Sequence, residues 1–260
     1  MSSGAEARFF AKLAEAPIET APFPHFYLEN IFTDDLYSQM LGNLPADGDL
    51  IPLGDTGLVT PGAYPERAIL RLNDADTARL DEIQRIFWQD VATRFLGGRL
   101  TEMLSGRFWP HILDRFGGNL LRMRLAEEAM LVRDRTRYAL GPHTDAPHRL
   151  LTLLFYLPAD NATAHLGTTL YAPIDATFRC KGGPHHPREA FNPVRTMPYR
   201  PNSVFAFMRT DQSFHGVEQI ADEAVQRDIL AYDIRIKGLT FAQPPVGEIA
   251  QAGATAQPAP

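Results

Sequence analysis

From Asn119 onward the chain is a series of short apolar runs, and this pattern restricts the fold more than any other feature. Residues 120–125, 130–138, 150–157, 168–171, 203–208 and 228–236 are rich in branched and aromatic side chains, and Gly, Pro, Asp and Asn separate them. Runs this short with turn residues between them predict an all-β sandwich or barrel. The first 118 residues read differently. Residues 3–15 predict an amphipathic helix, which the prolines at 22 and 24 end, and 25–29 predict a strand. Thr33 is a suitable N-cap for a helix over 34–44, with acids in its first turn. Residues 45–65 predict a long loop. Apolar spacings of three and four predict a helix over 77–104, broken near Gly97 and Gly98, and 108–116 predict a further short helix. The expected architecture is α+β: a helix-rich support region (1–118), a β core (119–240) and a loose tail (241–260) within one structural domain.

Composition narrows the function. Hydrophobic residues make up 45% and charged residues 22%, which are globular values. A net charge of −6 lacks the electrostatic footprint of a nucleic-acid binder. The single cysteine, Cys180, excludes an intrachain disulfide and a four-cysteine zinc site. The first residues lack a signal-peptide apolar region, and no apolar run is long enough to span a bilayer, so the expectation is a cytoplasmic protein with no membrane partner. No pattern sets an oligomeric state.

One segment carries chemistry. In Gly141-Pro142-His143-Thr144-Asp145, an extended backbone points His143 and Asp145 the same way and Thr144 the other. An imidazole and a carboxylate that converge suit a divalent metal, although a loop hydrogen bond would use the same pair. His215 follows the apolar strand at 203–208, and Arg227, twelve residues later, opens the next strand. A β barrel can bring His215 back onto the first pair. The result is a 2-His-1-carboxylate triad with open metal positions, and the arginine can then pair with a ligand carboxylate.

These pieces resemble the Fe(II)/2-oxoglutarate-dependent oxygenases, in particular their prolyl-hydroxylase-like group. The likeness runs over roughly residues 21–240. It rests on Pro22-Phe23-Pro24-His25-Phe26-Tyr27-Leu28, Tyr138, His143-Thr144-Asp145, the strand at 151–157, Gly167-Thr168-Thr169-Leu170, His215-Gly216-Val217 and Arg227. The resemblance implies a double-stranded β-helix (jelly-roll) core. It implies His143, Asp145 and His215 as iron ligands and Arg227 as the partner of the distal 2-oxoglutarate carboxylate. Tyr156 would bond that carboxylate, with Thr152 on its strand face. Leu154 and Leu170 would line the cosubstrate site, and Tyr138 would be a pocket tyrosine. Fe(II), 2-oxoglutarate and O2 are the implied cofactors, with ascorbate stimulatory. The implied reaction hydroxylates a small molecule or peptidyl side chain and yields succinate and CO2. Asp145 favours hydroxylation, because related halogenases replace this carboxylate. Two features depart from the family: Gly167-Thr168 stands where it has Gly-Gly, and the gap from His215 to Arg227 is long.

Residues 172–200 are long for a connection between core strands. They hold Arg179, Lys181, Arg188, Arg195 and Arg200 against Asp175 and Glu189, with His185-His186 as further donors. This predicts a mobile lid that holds an anionic substrate group, against a solvated surface loop. Arg133, Arg135 and Arg137 predict an outer, solvated strand face. His25, His111, His148 and His165 are expected at the surface or as caps, and Trp88 and Trp109 as packing residues. Two other functions compete with the oxygenase. A zinc hydrolase on the same ligands lacks a His-Glu-x-x-His motif and leaves Arg227 and Tyr156 without a role. A non-catalytic jelly-roll binding module would leave the intact triad unexplained.

Overall fold

The computed structural model describes residues 3–183, 185–221 and 225–241. The expected tail lies outside the described residues beyond Phe241. In the first 118 residues, helices α1 (Ser3–Glu15), α2 (Asp34–Gly42), α3 (Asp74–Thr77), α4 (Glu82–Phe95), α5 (Gly98–Arg107) and α6 (Trp109–Arg115) alternate with strands β1 (His25–Glu29), β2 (Ile51–Pro52) and β3 (Arg67–Arg71). Eight strands follow: β4 (Leu120–Arg135), β5 (Leu140–His143), β6 (Arg149–Tyr156), β7 (Thr168–Pro173), β8 (Phe191–Met197), β9 (Ser203–Met208), β10 (His215–Val217) and β11 (Gln226–Phe241).

Two antiparallel sheets result, in the orders β1-β9-β6-β11-β4-β3-β2 and β5-β10-β7-β8. From β4 to β11 the chain passes back and forth between them, the connectivity of a jelly roll built as two open sheets. The N-terminal region is therefore more than a helical support. β1 pairs with β9 and β3 with β4, extending the larger sheet at both edges.

The central strand β6 is buried on both faces, which is why 150–157 is almost unbroken in apolar residues. Side chains alternate across the larger sheet. Leu151, Leu153, Phe155, Leu230 and Tyr232 pack outward into a core with Phe9, Leu13, Trp88, Phe95 and Leu104 of the helices. Thr152, Leu154, Ile229, Ala231 and Asp233 face inward and line a cavity.

Local signals explain the helix ends. Thr33 Oγ1 accepts from Leu36 N–H at the start of α2, and the Asp81 carboxylate accepts from Gln84 N–H at the start of α4. The Asp81 cap is why the helix expected from 77 starts at 82. Ile83 and Ile86 of the expected apolar stripe are exposed at 77% and 57%, whereas Trp88, Val91 and Phe95 are buried. The two strands expected at 120–125 and 130–138 are one strand, β4, because β11 continues past Ile236 and pairs with it throughout, with a register shift at Gly238. Among the described residues, no helix is long and apolar enough to cross a membrane.

Candidate active site

His143 ends β5 and His215 begins β10, and the two are direct register partners. This pairing sets their rings 4.4 Å apart between centroids. It requires a glycine next to His215, since a Cβ on Gly216 would lie 2.4 Å from the Leu140 carbonyl oxygen. Asp145 lies just past the strand end. Its Oδ1 is 4.0 Å from His143 Nε2 and 3.9 Å from His215 Nε2. One ligand atom from each residue lies within 4.8 Å of the others, a spacing that could hold a metal ion. Thr144 points away and donates to the Cys180 carbonyl.

The cluster is set for metal ligation in its protonation as well. His143 Nδ1 lies 3.0 Å from the Gly141 carbonyl and His215 Nδ1 2.9 Å from that of Ser213. An Nδ1–H donated to a carbonyl leaves the Nε2 lone pair facing Asp145. Burial, with His215 adding to it, pushes His143 down to about 3, and burial also lowers His215, so both imidazoles are neutral at physiological pH. Burial alone would raise Asp145. Arg149, His215, His143 and the Thr152 hydroxyl outweigh it and hold the carboxylate well below its usual range.

Arg149 is a site residue that the motif reading missed. Its Nη1 meets Asp145 Oδ1 at 3.1 Å, and its Nη2 meets Asp233 Oδ2 at 2.9 Å. No motif marks it: Asp145 lies in the coil after β5 and Arg149 begins β6, so their spacing of four carries no helical meaning. Thr152 Oγ1 donates to Asp145 Oδ2 at 3.0 Å, so both carboxylate oxygens are tied.

The cluster opens into a cavity of about 490 Å³ that Arg227, Thr152 and Leu154 also line. Arg227 is 1% exposed. Its Nη1 bonds Asp134 Oδ2 at 2.7 Å, across the register pair Arg227–Asp134, and its Nε donates to the Leu166 carbonyl. Arg67 grips the same Asp134 with two bonds. Arg227 Nη2 has no hydrogen-bond partner among the described residues.

The other expected pocket residues are buried in the cluster that surrounds the cavity, with the Tyr156 ring against the Arg227 guanidinium. Tyr156 is fully buried and donates its hydroxyl to Thr168 Oγ1 at 2.8 Å, so Thr168 faces the cavity in its place. Leu170 is the register partner of His215 on β7 and is buried. Tyr138 is buried beneath the Arg67 guanidinium, and its hydroxyl has no partner among the described residues. The cavity roof was read only as loop: Leu53, Leu58 and Val59 line it, and the Tyr64 hydroxyl lies 3.0 Å from His185 Nε2.

Residues 172–200 differ from the expected lid. Their second half is β8, paired with β7 along its length. Three of their cations are bound elsewhere: Arg188 pairs with Glu218, Arg195 with Glu19 and Arg200 with Glu29. The segment nevertheless packs on the metal cluster, with the His185 ring 5.0 Å from that of His143. Arg133 is buried, with its Nε on Asp228 and Nη1 on Asp47, and not on a solvated face, while Arg137 adopts a positive φ of 75° in the turn after β4. His25 is buried too, with Nδ1 2.8 Å from the Phe23 carbonyl and its ring packed against Phe23 and Phe205 on the edge strand β1.

Neither a family model nor a curated protein sequence matches the chain. Solved structures do. The non-heme alpha-ketoglutarate-dependent epimerase SnoN from nogalamycin biosynthesis aligns with a TM-score of 0.50 at 12% identity, over 98% of this chain and 91% of that one. A prolyl-4-hydroxylase from Pseudomonas putida aligns at 0.48 and 14% identity, over 88% and 98%. A 2OG-Fe(II) oxygenase family protein from Burkholderia pseudomallei aligns at 0.45 and 13% identity, over 90% and 91%. The likeness to SnoN extends over nearly the whole chain and shows a shared fold.

Proposed function

We propose that this protein is an Fe(II)- and 2-oxoglutarate-dependent oxygenase that hydroxylates a C–H bond of a small molecule or peptidyl side chain, releasing succinate and CO2. One observation carries the reading: a 2-His-1-carboxylate cluster and a buried arginine with an unused donor open into a single cavity. The cluster offers two neutral imidazoles and one carboxylate, a donor set suited to Fe(II) with open positions. The orphaned Arg227 Nη2 fits the far carboxylate of 2-oxoglutarate, since a buried guanidinium donor without a partner is costly and a carboxylate oxygen satisfies it. Iron, 2-oxoglutarate and O2 together supply the oxidising chemistry when bound.

The chain's own residues have positioning tasks. His143 and His215 would each hold the metal through Nε2, with Nδ1 fixed by a backbone carbonyl. Asp145 would be the third ligand, its orientation set by Arg149 and Thr152. Asp134 and Arg67 would aim the Arg227 fork, and Thr168, supported by Tyr156, would present a hydroxyl beside it. Leu154, Phe207 and Val217 make the intervening wall apolar and exclude water. With Asp145 filling the carboxylate position, no halide site is left, and hydroxylation is the reaction proposed.

The test is succinate formation from 2-oxoglutarate with Fe(II), ascorbate and candidate substrates. Metal-dependent succinate in the native protein and none in His215→Ala is the expected outcome. A native protein that binds metal and 2-oxoglutarate but never forms succinate would support a binding module in its place.

A further inference from the structure

Resting on the proposed function, we infer that the cavity end beside the metal cluster recognises an uncharged substrate group that both donates and accepts hydrogen bonds, such as a carboxamide or a hydroxyl, and not a substrate ion. The first ground is a line of alternating charges that starts at the metal cluster. Asp145 meets Arg149, and Arg149 meets Asp233 Oδ2 at 2.9 Å. Arg235 Nη2 lies 3.7 Å from that same oxygen and also bonds Glu128 Oε2. Glu128 Oε1 lies 3.6 Å from Arg71 Nε, and Arg71 ends on Asp76 at 3.5 Å. Once Asp145 serves the metal, three arginines face three carboxylates and the formal sum is zero with Asp233 ionised; burial raises Asp233 and its arginine partners oppose that. A charged substrate group placed beside the buried Asp233 would gain no net countercharge from this line, which is unfavourable.

The second ground is independent of the charge count. Three polar atoms of this line have no hydrogen-bond partner among the described residues: Asp233 Oδ1, Arg149 Nε and Arg235 Nε. Asp233, Arg149 and Arg235 all line the cavity, and the Asp233 side chain is only 4% exposed. An unsatisfied acceptor beside unsatisfied donors is completed by a group that carries both an N–H or O–H and a lone pair. The register fixes where that group would sit. Asp233 is the strand partner of Thr152, whose hydroxyl bonds Asp145. A substrate held by Asp233 is thus at the level of the metal cluster, with Arg227 three inward-facing positions further along β11. Selectivity from this location would favour a neutral group, where the charge of residues 172–200 predicts an anionic one.

The experiment uses the full chain loaded with Zn(II), which is redox-inert, and saturated with 2-oxoglutarate. Cyclohexanecarboxamide, cyclohexylmethanol, cyclohexanecarboxylate and cyclohexylmethylammonium are titrated by calorimetry. One or both neutral probes should bind at least about fivefold more tightly than either ion, and the tighter of the two identifies the preferred head group. Asp233→Asn makes the line net positive and should move the preference to the carboxylate. Arg235→Gln makes it net negative and should move it to the ammonium. A native preference for either ion, unchanged preferences in both near-isosteric variants, or no binding of any probe would each overturn the inference. Zn(II) and 2-oxoglutarate uptake are measured separately, so their failure would count against the proposed function alone. In that case the titration is read on the metal-free protein, where Asp145 restores one negative charge. The ammonium should then bind best, and any other order would overturn the inference.

Discussion

Arg227 and Arg149 enter one cavity from adjacent strands of one sheet, and both are held by a buried aspartate, but their remaining donors differ. Arg227 spends Nη1 on Asp134 and Nε on a carbonyl, and keeps Nη2 free. Arg149 spends both terminal nitrogens, one on Asp145 and one on Asp233, and keeps only Nε. A guanidinium with a free terminal nitrogen can still take a ligand carboxylate. One whose terminal nitrogens are already used acts on the carboxylate it holds. On the proposed function, the structural pairing of each arginine, more than its residue type, would separate a cosubstrate-carboxylate end of the cavity from the end where the metal is positioned.

The strongest way to break this comparison is to remove what Arg149 positions. Asp145→Ala, His143→Ala or His215→Ala should abolish metal-dependent 2-oxoglutarate turnover, because each deletes one of three ligands. Binding of Fe(II) to the purified variants checks this, with His165→Ala as a control that should retain binding.

The next effect belongs to the other end. Arg227→Ala should weaken 2-oxoglutarate by about 2–5 kcal/mol, the cost of leaving a buried carboxylate partner unpaired, or about 30- to 4,000-fold. Arg227→Lys should recover only part, since the planar fork is lost. Metal affinity should be nearly unchanged in both. Arg149→Gln should show the opposite split: metal affinity should fall about 10–100-fold, as for other partners of metal ligands, while 2-oxoglutarate dependence moves little. Dissociation constants for metal and cosubstrate in the same two proteins separate the two ends.

A smaller effect comes from pH. His143 lies at about 3 in the folded protein against an ordinary value of 6.5. The unfolded chain therefore takes up the proton first, and stability is fully present above pH 6.5 and lost as pH falls toward 3. Between pH 7 and pH 5 the metal-free protein should lose about 2 kcal/mol from this group. Urea unfolding at the two pH values should show the loss, reduced in His143→Gln. The smallest effect is that of Thr152→Val, which removes one hydrogen bond to Asp145 and should cost about 1 kcal/mol, under tenfold in metal affinity.

The two ends were not equally legible in the sequence. His143, Asp145 and His215 stand in short motifs whose spacing has direct meaning on an extended strand, and Arg227 opens a strand at a usable distance from His215. Arg149 and Asp233 have no motif. They meet because β6 and β11 pair in register, a long-range fact that no local window contains. The pairing of the 172–200 cations is illegible for the same reason, since the acidic partners Glu19, Glu29 and Glu218 of three of them lie outside the segment. Likewise, 25–29 reads as a minor strand in a helical region and 67–71 does not read as a strand, and only pairing with β9 and β4 makes β1 and β3 outer strands of the main sheet. Tyr156 shows a finer limit. Strand alternation puts it on the inward face, and only the side-chain geometry shows its hydroxyl spent on Thr168.

The central claim is that one cavity holds a metal at His143, Asp145 and His215 and a 2-oxoglutarate carboxylate at Arg227. Anaerobic calorimetric titration of 2-oxoglutarate into Fe(II)-loaded protein tests it most directly. The account predicts one metal and one 2-oxoglutarate per chain in the native protein, no metal uptake in His215→Ala, and cosubstrate binding weakened at least about 30-fold in Arg227→Ala with the metal retained. Unchanged 2-oxoglutarate affinity in Arg227→Ala, or full metal uptake by His215→Ala, would contradict it.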